Sequence, residues 1–129
     1  MNSRLFNLLS MLAAGVVGLT ACGGSVSQPA ATPTAVGDAV SGKTKFEGTC
    51  SSCHGMDAKG LPSLGKDLTT STFAKGLSDA DLVAFVTKGR PSSDPANTTG
   101  VDMPPKGGNP ALVEEDVYDI VAYLRTLQK

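Results

Sequence analysis

An almost unbroken apolar run from Leu5 to Leu19 opens the chain, and beyond it the hydrophobic positions become periodic in three places. In DAVSGKTKFEG, residues 38–48, Gly42 and Phe46 stand four apart and so share one face of a helix. Ser78-Asp79-Ala80-Asp81 reads as a capping box with Asp in the usual Glu place, and Leu82, Phe85 and Val86 follow as one stripe until Gly89. EEDVYDIVAYLRTLQ gathers Val117, Ile120, Val121, Leu124 and Leu127 on one face, with acids in its first turn and Arg125 in its last. No strand-like alternation or Asn-Gly hairpin signal occurs, so the pattern predicts an all-α domain with about three main helices. Residues 91–111, PSSDPANTTGVDMPPKGGNPA, have no period at all. A loop of that length in a small domain is either functional or wrapped around something.

The first apolar run is about 15 residues, short of the ~20 that a permanent membrane helix needs. With Arg4 before it and small residues after it, the run reads as an export signal. Leu19-Thr20-Ala21-Cys22 resembles the lipobox of bacterial lipoproteins, which implies a signal peptide over residues 1–21 and an acylated Cys22 as first mature residue. Two or three acyl chains on one residue meet the requirement for stable membrane attachment. The segment GGSVSQPAATPTAV that follows is uncharged and carries two prolines, so residues 22–36 read as the lipidated cysteine and a flexible linker. Its root-mean-square reach is about 20 Å, and its stretched limit about 45 Å. The folded domain is then expected over residues 37–129, exported and tethered on the periplasmic or extracytoplasmic side.

Composition narrows the function. Without Arg4 the mature chain carries ten basic and twelve acidic residues, a net charge of about −2, which offers no basic field for nucleic acid. A domain of about 93 residues that lacks tryptophan has little material for a core, and a bound prosthetic group would supply some. In an exported protein Cys50 and Cys53 would oxidise unless occupied.

Those two cysteines and the chain's only histidine form CSSCH, residues 50–54. C-x-x-C-H is the attachment signature of haem c: the spacing lets Cys50 and Cys53 form thioethers with two vinyl groups, and His54 becomes the proximal iron ligand. Rival readings lack parts. A thioredoxin-like pair needs a strand and crossover helix around the motif. A structural zinc needs four ligands where only three are present. A plain disulfide leaves His54 unexplained. With no second histidine, the sixth iron position falls to Met103, Met56, a lysine or nothing. Met56 is two residues from His54 and cannot reach around a porphyrin. Met103, in the aperiodic loop and followed by the stiffening Pro104-Pro105, is the expected ligand, and ligation also explains the loop.

At this point the chain resembles a class I cytochrome c over residues 38–129. Gly42 and Phe46 match the glycine and aromatic that precede the haem motif in that family, which crosses its first and last helices there, against an aromatic that is here Tyr123. Gly60-Leu61-Pro62-Ser63-Leu64 looks like the family's glycine, proline and leucine segment, and the resemblance implies that the carbonyl of Pro62 accepts the hydrogen bond from His54 Nδ1. GVDMPPKGG matches the methionine loop. Two departures stand out: without tryptophan the haem propionates need other partners, for which Arg90 and Lys106 are candidates, and Val113 holds the usual capping position of the last helix. Asn109-Pro110 offers that helix an earlier start.

The resemblance implies a cytochrome c fold wrapped around one covalent haem c. It also implies one-electron transfer at a positive potential rather than catalysis. The donors and acceptors expected are a quinol-oxidising complex, a terminal oxidase or a photosynthetic reaction centre. A lipobox joined to a single-haem domain is similar to the small cytochrome c lipoprotein subunit of alternative complex III. The competing reading is a haem enzyme or gas sensor with an open sixth position.

Overall fold

A computed structural model of the chain describes residues 37–129. The expected signal peptide (1–21), Cys22 and the linker to residue 36 lie outside the described residues. Among the described residues five α-helices follow in order: α1 (Ala39–Thr49), α2 (Ser51–His54), α3 (Thr72–Gly76), α4 (Asp79–Lys88) and α5 (Glu114–Leu127). A 3-10 turn at Pro105–Gly108 precedes α5. Among the described residues the only β pairing is an isolated antiparallel bridge between Arg90 and Met103. The three periodic segments are therefore α1, α4 and α5, and α2 and α3 are short helices that no period announced.

Helix α1 starts at Asp38, whose carboxylate accepts from the amides of Val40 (2.8 Å) and Ser41 (3.3 Å). It packs across α5, and Gly42 makes the crossing close: a Cβ at this position would fall into the Asp119 carbonyl. Phe46, one turn on, is fully buried with its ring 5.6 Å from that of Tyr123. Burying such a side chain contributes about 1.5–3 kcal/mol. The α5 stripe behaves as its period predicts, with Val117, Ile120, Val121 and Leu124 buried and Leu127 packed against the cluster they form.

Polar contacts fix the same crossing. Lys45 Nζ lies 2.6 Å from both Asp116 Oδ1 and Asp119 Oδ2, and the Asp38 amide donates to Asp119 Oδ1 at 2.7 Å. Hydrogen bonds to Asp116 and Asp119 raise the Lys45 ammonium above its ordinary range. Burial pushes the Asp119 carboxyl up, but the bonds from Lys45 and from the Asp38 amide outweigh it and hold the group below the usual carboxylate range.

Ser78 caps α4 as its sequence predicts, accepting from the Asp81 amide at 3.1 Å while its hydroxyl donates to Asp81 Oδ2 at 2.6 Å. Arg125, expected only to favour the end of α5, does more. Its guanidinium donates to Asp79 Oδ1 (2.8 Å) and to the carbonyls of Ala74 (2.8 Å) and Leu77 (2.7 Å), tying the α3–α4 junction to α5.

The early start for α5 at Asn109-Pro110 is not adopted. Asn109 Oδ1 instead accepts from the Ala111 amide (3.1 Å) and Nδ2 donates to Thr49 Oγ1 (3.3 Å), so the residue closes a turn against α1. Val113 is the N-cap, in extended conformation, and Asp116 Oδ2 reaches back to its amide at 2.8 Å. Only half of a capping box forms, because valine has no side-chain acceptor.

Candidate haem crevice

The end of α1 and the single turn of α2 set the chemistry. Cys50 sits at their junction, its amide bonded to the Phe46 carbonyl at 2.8 Å, so the burial of Phe46 also positions the first thiol. Cys53 and His54 follow on α2. All three line a cavity of about 680 Å³, within the ~300–1,000 Å³ usual for ligand and cofactor sites. Burial, with Cys53 as a lesser contributor, pushes the Cys50 thiol up to about 11. A redox-active C-x-x-C pair requires the opposite shift, so this environment speaks against thiol–disulfide chemistry. Among the described residues no group of three or more His, Cys, Asp or Glu side chains converges to hold a metal ion.

His54 is held by the returning chain. Its Nδ1 donates to the carbonyl of Lys66 at 2.8 Å, which leaves Nε2 with the free lone pair for a ligand. The expected acceptor was Pro62, and this is corrected: Pro62 stands exposed in a turn closed by the amides of Leu64 (3.1 Å) and Gly65 (3.2 Å) on the Leu61 carbonyl. The chain comes up to the imidazole only after that turn. Gly65 permits the approach, since a Cβ there would run into the Cys53 carbonyl and lie 3.1 Å from His54 Nδ1. The glycine before Lys66 was the signal that sequence reading passed over.

Apolar side chains of α4 and the α3 segment form another wall, with Phe73, Leu82, Phe85 and Val86 on the cavity. Phe85 is therefore not a core residue of the α4 stripe; Val83 takes the buried place and Phe85 packs edge-on against Phe73 at 4.9 Å.

The segment from Arg90 to Pro104 supplies a further wall of the cavity. Met103 lines the cavity, and its amide and carbonyl pair with the carbonyl and amide of Arg90, both at 2.8 Å. Met56 does not line it and is 60% exposed, in keeping with the reach argument against it. Asn97 organises the loop. Nδ2 donates to the carbonyls of Pro91 (3.2 Å) and Val101 (2.8 Å), and Oδ1 accepts from the amides of Thr99 (3.0 Å) and Gly100 (2.9 Å). Asp102 Oδ1 adds a bond from the Ser92 amide at 2.5 Å.

Of the two candidate propionate partners, Lys106 is committed elsewhere: Nζ donates to the Leu112 carbonyl at 2.6 Å, and the residue is not on the cavity. Arg90 lines the cavity, and its Nε is buried without a hydrogen-bond partner. The donor set fits a haem c: two thiols at the attachment spacing, an oriented imidazole, a thioether in the opposite loop, apolar walls and one buried guanidinium N–H lacking an acceptor.

The family model of cytochrome c matches residues 39–128. The chain is 36% identical over 88 residues to cytochrome c-555 of Chlorobaculum thiosulfatiphilum, covering 67% of this chain and 93% of that protein. It is 34% identical to cytochrome c-555 of Prosthecochloris aestuarii, over 67% of this chain and 85% of the relative. A third relative, the cbb3-type cytochrome c oxidase subunit CcoP of Rhodobacter capsulatus, is 32% identical over 69% of this chain but only 29% of its own length. No solved structure matches. Since the match runs from the first residue of α1 to the residue after α5, across the crevice and everything that builds it, this chain belongs to the cytochrome c family of haem-carrying electron-transfer proteins.

Proposed function

We propose that the chain is a membrane-tethered one-electron carrier that would hold one haem c through Cys50 and Cys53, with His54 and Met103 as the residues that would ligate its iron and Cys22 as the site of lipid attachment. The observation that carries this reading is that the only histidine and Met103, 49 residues apart, face one apolar cavity, the first with Nε2 free. The haem supplies a single-electron change at iron. The protein's part would be to offer the iron two ligands already held in place, so that the change of charge needs little rearrangement. His54 is fixed by Lys66 O, and the Met103 backbone by Arg90. A thioether donor raises the potential, and the low-dielectric walls, which disfavour the extra charge of the ferric state, act in the same direction.

Tethering rests on the lipobox at Leu19-Thr20-Ala21-Cys22 and on the linker that follows it. No helix among the described residues is long and apolar enough to cross a membrane. A head on such a tether would exchange electrons with neighbours on the same membrane, a quinol-oxidising complex on one side and a terminal oxidase or reaction centre on the other, at high effective concentration. The likeness to an oxidase subunit supports the oxidase as acceptor. Service as a fixed subunit, as in alternative complex III, is the second form of the same role.

The deciding experiment is an absorption spectrum of the haem-loaded protein, oxidised and then reduced, with carbon monoxide added to the reduced form. Expected are the weak red band of sulfur on ferric iron and indifference to carbon monoxide. If the band is missing and carbon monoxide binds readily, the sixth position is open and a gas-binding or catalytic haem replaces this reading.

A further inference from the structure

We propose that Arg90 is a carboxylate-binding residue of the crevice, and that its guanidinium takes a propionate of haem c; this rests on the haem reading above. The guanidinium carbon lies 4.7 Å from the ring centroids of both Phe73 and Phe85. Those rings hold the cation in place but offer no acceptor for its in-plane N–H groups. Within the protein, Nη1 reaches the Ala96 carbonyl only at 3.3 Å. Nε is buried and makes no hydrogen bond, with the nearest carboxylate oxygen, Asp94 Oδ2, 3.5 Å away. A buried N–H of a charged group left without an acceptor costs free energy, which an anion brought in by the occupant of the cavity would recover.

The two carboxylates of the crevice are engaged within the protein and leave the guanidinium to the occupant. Asp67 is saturated by the hydroxyls and amides of Thr69 and Thr70. Asp102 is engaged by the Ser92 amide. Lys66 contributes its carbonyl to His54.

The position of Arg90 adds a consequence. Its side chain serves the cofactor's carboxylate while its peptide is paired, donor and acceptor, with Met103. One residue thus registers the cofactor edge against the arm that carries the sulfur.

The test uses the full haem-loaded chain, with haem carrying 13C at the propionate carboxylates, in wild type, Arg90→Gln, Arg90→Lys and Asp94→Asn. Redox-difference infrared spectra report the labelled carboxylates directly, and a potential titration accompanies them. In Arg90→Gln the labelled bands should shift and the midpoint potential should fall, because a positive charge that opposes ferric iron has been removed. The sulfur–ferric band should stay, since the backbone bridge does not depend on the side chain. Arg90→Lys should shift the bands in the same sense by less, and it keeps the test open if the glutamine variant does not mature. Labelled bands unmoved by either variant would overturn the proposal. So would an Asp94→Asn variant that raises the potential by as much as Arg90→Gln lowers it, with the propionate bands in place, because Asp94 would then be the partner that neutralises Arg90. A wild type without haem would instead overturn the reading beneath it.

Discussion

Where α1 crosses α5 the contact is centred on fully buried apolar side chains: Phe46, Val117, Ile120 and Val121 are at most 1% exposed. Between Arg90 and Met103, by contrast, none of residues 91–102 is buried, and the loop is shaped by the side-chain hydrogen bonds of Asn97, the Asp102–Ser92 contact and the bridge at its base. Burial is non-directional and scales with area, so it can hold two helices but does not aim a single atom. Hydrogen bonds contribute less net free energy each, yet their directionality can hold a loop in one shape. The two regions therefore divide the work: the crossing gives the domain its stability, and the loop presents one side chain.

Damage to the crossing should cost most. Phe46→Ala removes a fully buried ring and is expected to lower unfolding free energy by about 3–5 kcal/mol, read from urea titration of the haem-loaded protein. It should also loosen Cys50, whose amide rests on the Phe46 carbonyl.

The loop should respond differently. Asn97→Asp keeps the acceptor oxygens but loses both donors to Pro91 and Val101, a local cost of about 1–3 kcal/mol. The expected outcome is a weaker sulfur–ferric band and new reactivity toward carbon monoxide, with the unfolding midpoint shifted far less than by Phe46→Ala. An equal loss of stability in the two variants would break the division between the regions.

The ionic part of the crossing predicts a pH dependence. Asp116 is held below the usual carboxylate range chiefly by its bond from Lys45, and Asp119 by bonds that outweigh burial. A depressed carboxylate contributes stability that is present above its unfolded pKa, about 4, and is lost as pH falls through the folded value. Lys45 is shifted the other way, so its contribution is full below about pH 10 and fades as pH rises through its raised folded pKa. Lys45→Met should thus flatten both limbs of the stability profile measured by chemical denaturation between pH 3 and 11. The change at neutral pH should be smaller than for Phe46, because Lys45 and Asp116 retain part of their hydration.

The smallest effect is a gain. Val113 caps α5 in extended conformation, is 58% exposed and offers no acceptor. Val113→Ser completes the reciprocal bond to the Asp116 amide and should stabilise by about 0.5–1 kcal/mol, seen as a higher unfolding midpoint. The iron spectrum should not change, which places the effect wholly within the crossing.

Much of this molecule is legible in its sequence. The periods of α1, α4 and α5 survived folding because a stripe that must be buried has one way to face a core. The attachment motif was legible because its residues are adjacent in sequence. The short helices α2 and α3 carry no period long enough to read, and Phe85, one of two neighbouring apolar choices on α4, went to the cavity while Val83 went to the core.

Local sequence by itself determined the three periodic helices, the thiol and imidazole chemistry of residues 50–54, and the candidacy of Met103, since each depends on neighbours along the chain or on there being no other residue to choose. Tertiary structure alone decided which carbonyl reaches His54, why Lys106 is unavailable and why Arg90 is not. Those outcomes depend on which backbone passes close to which side chain after two turns and a loop have closed. Small choices of space, such as Gly65 beside the imidazole, select among partners that the sequence leaves equivalent.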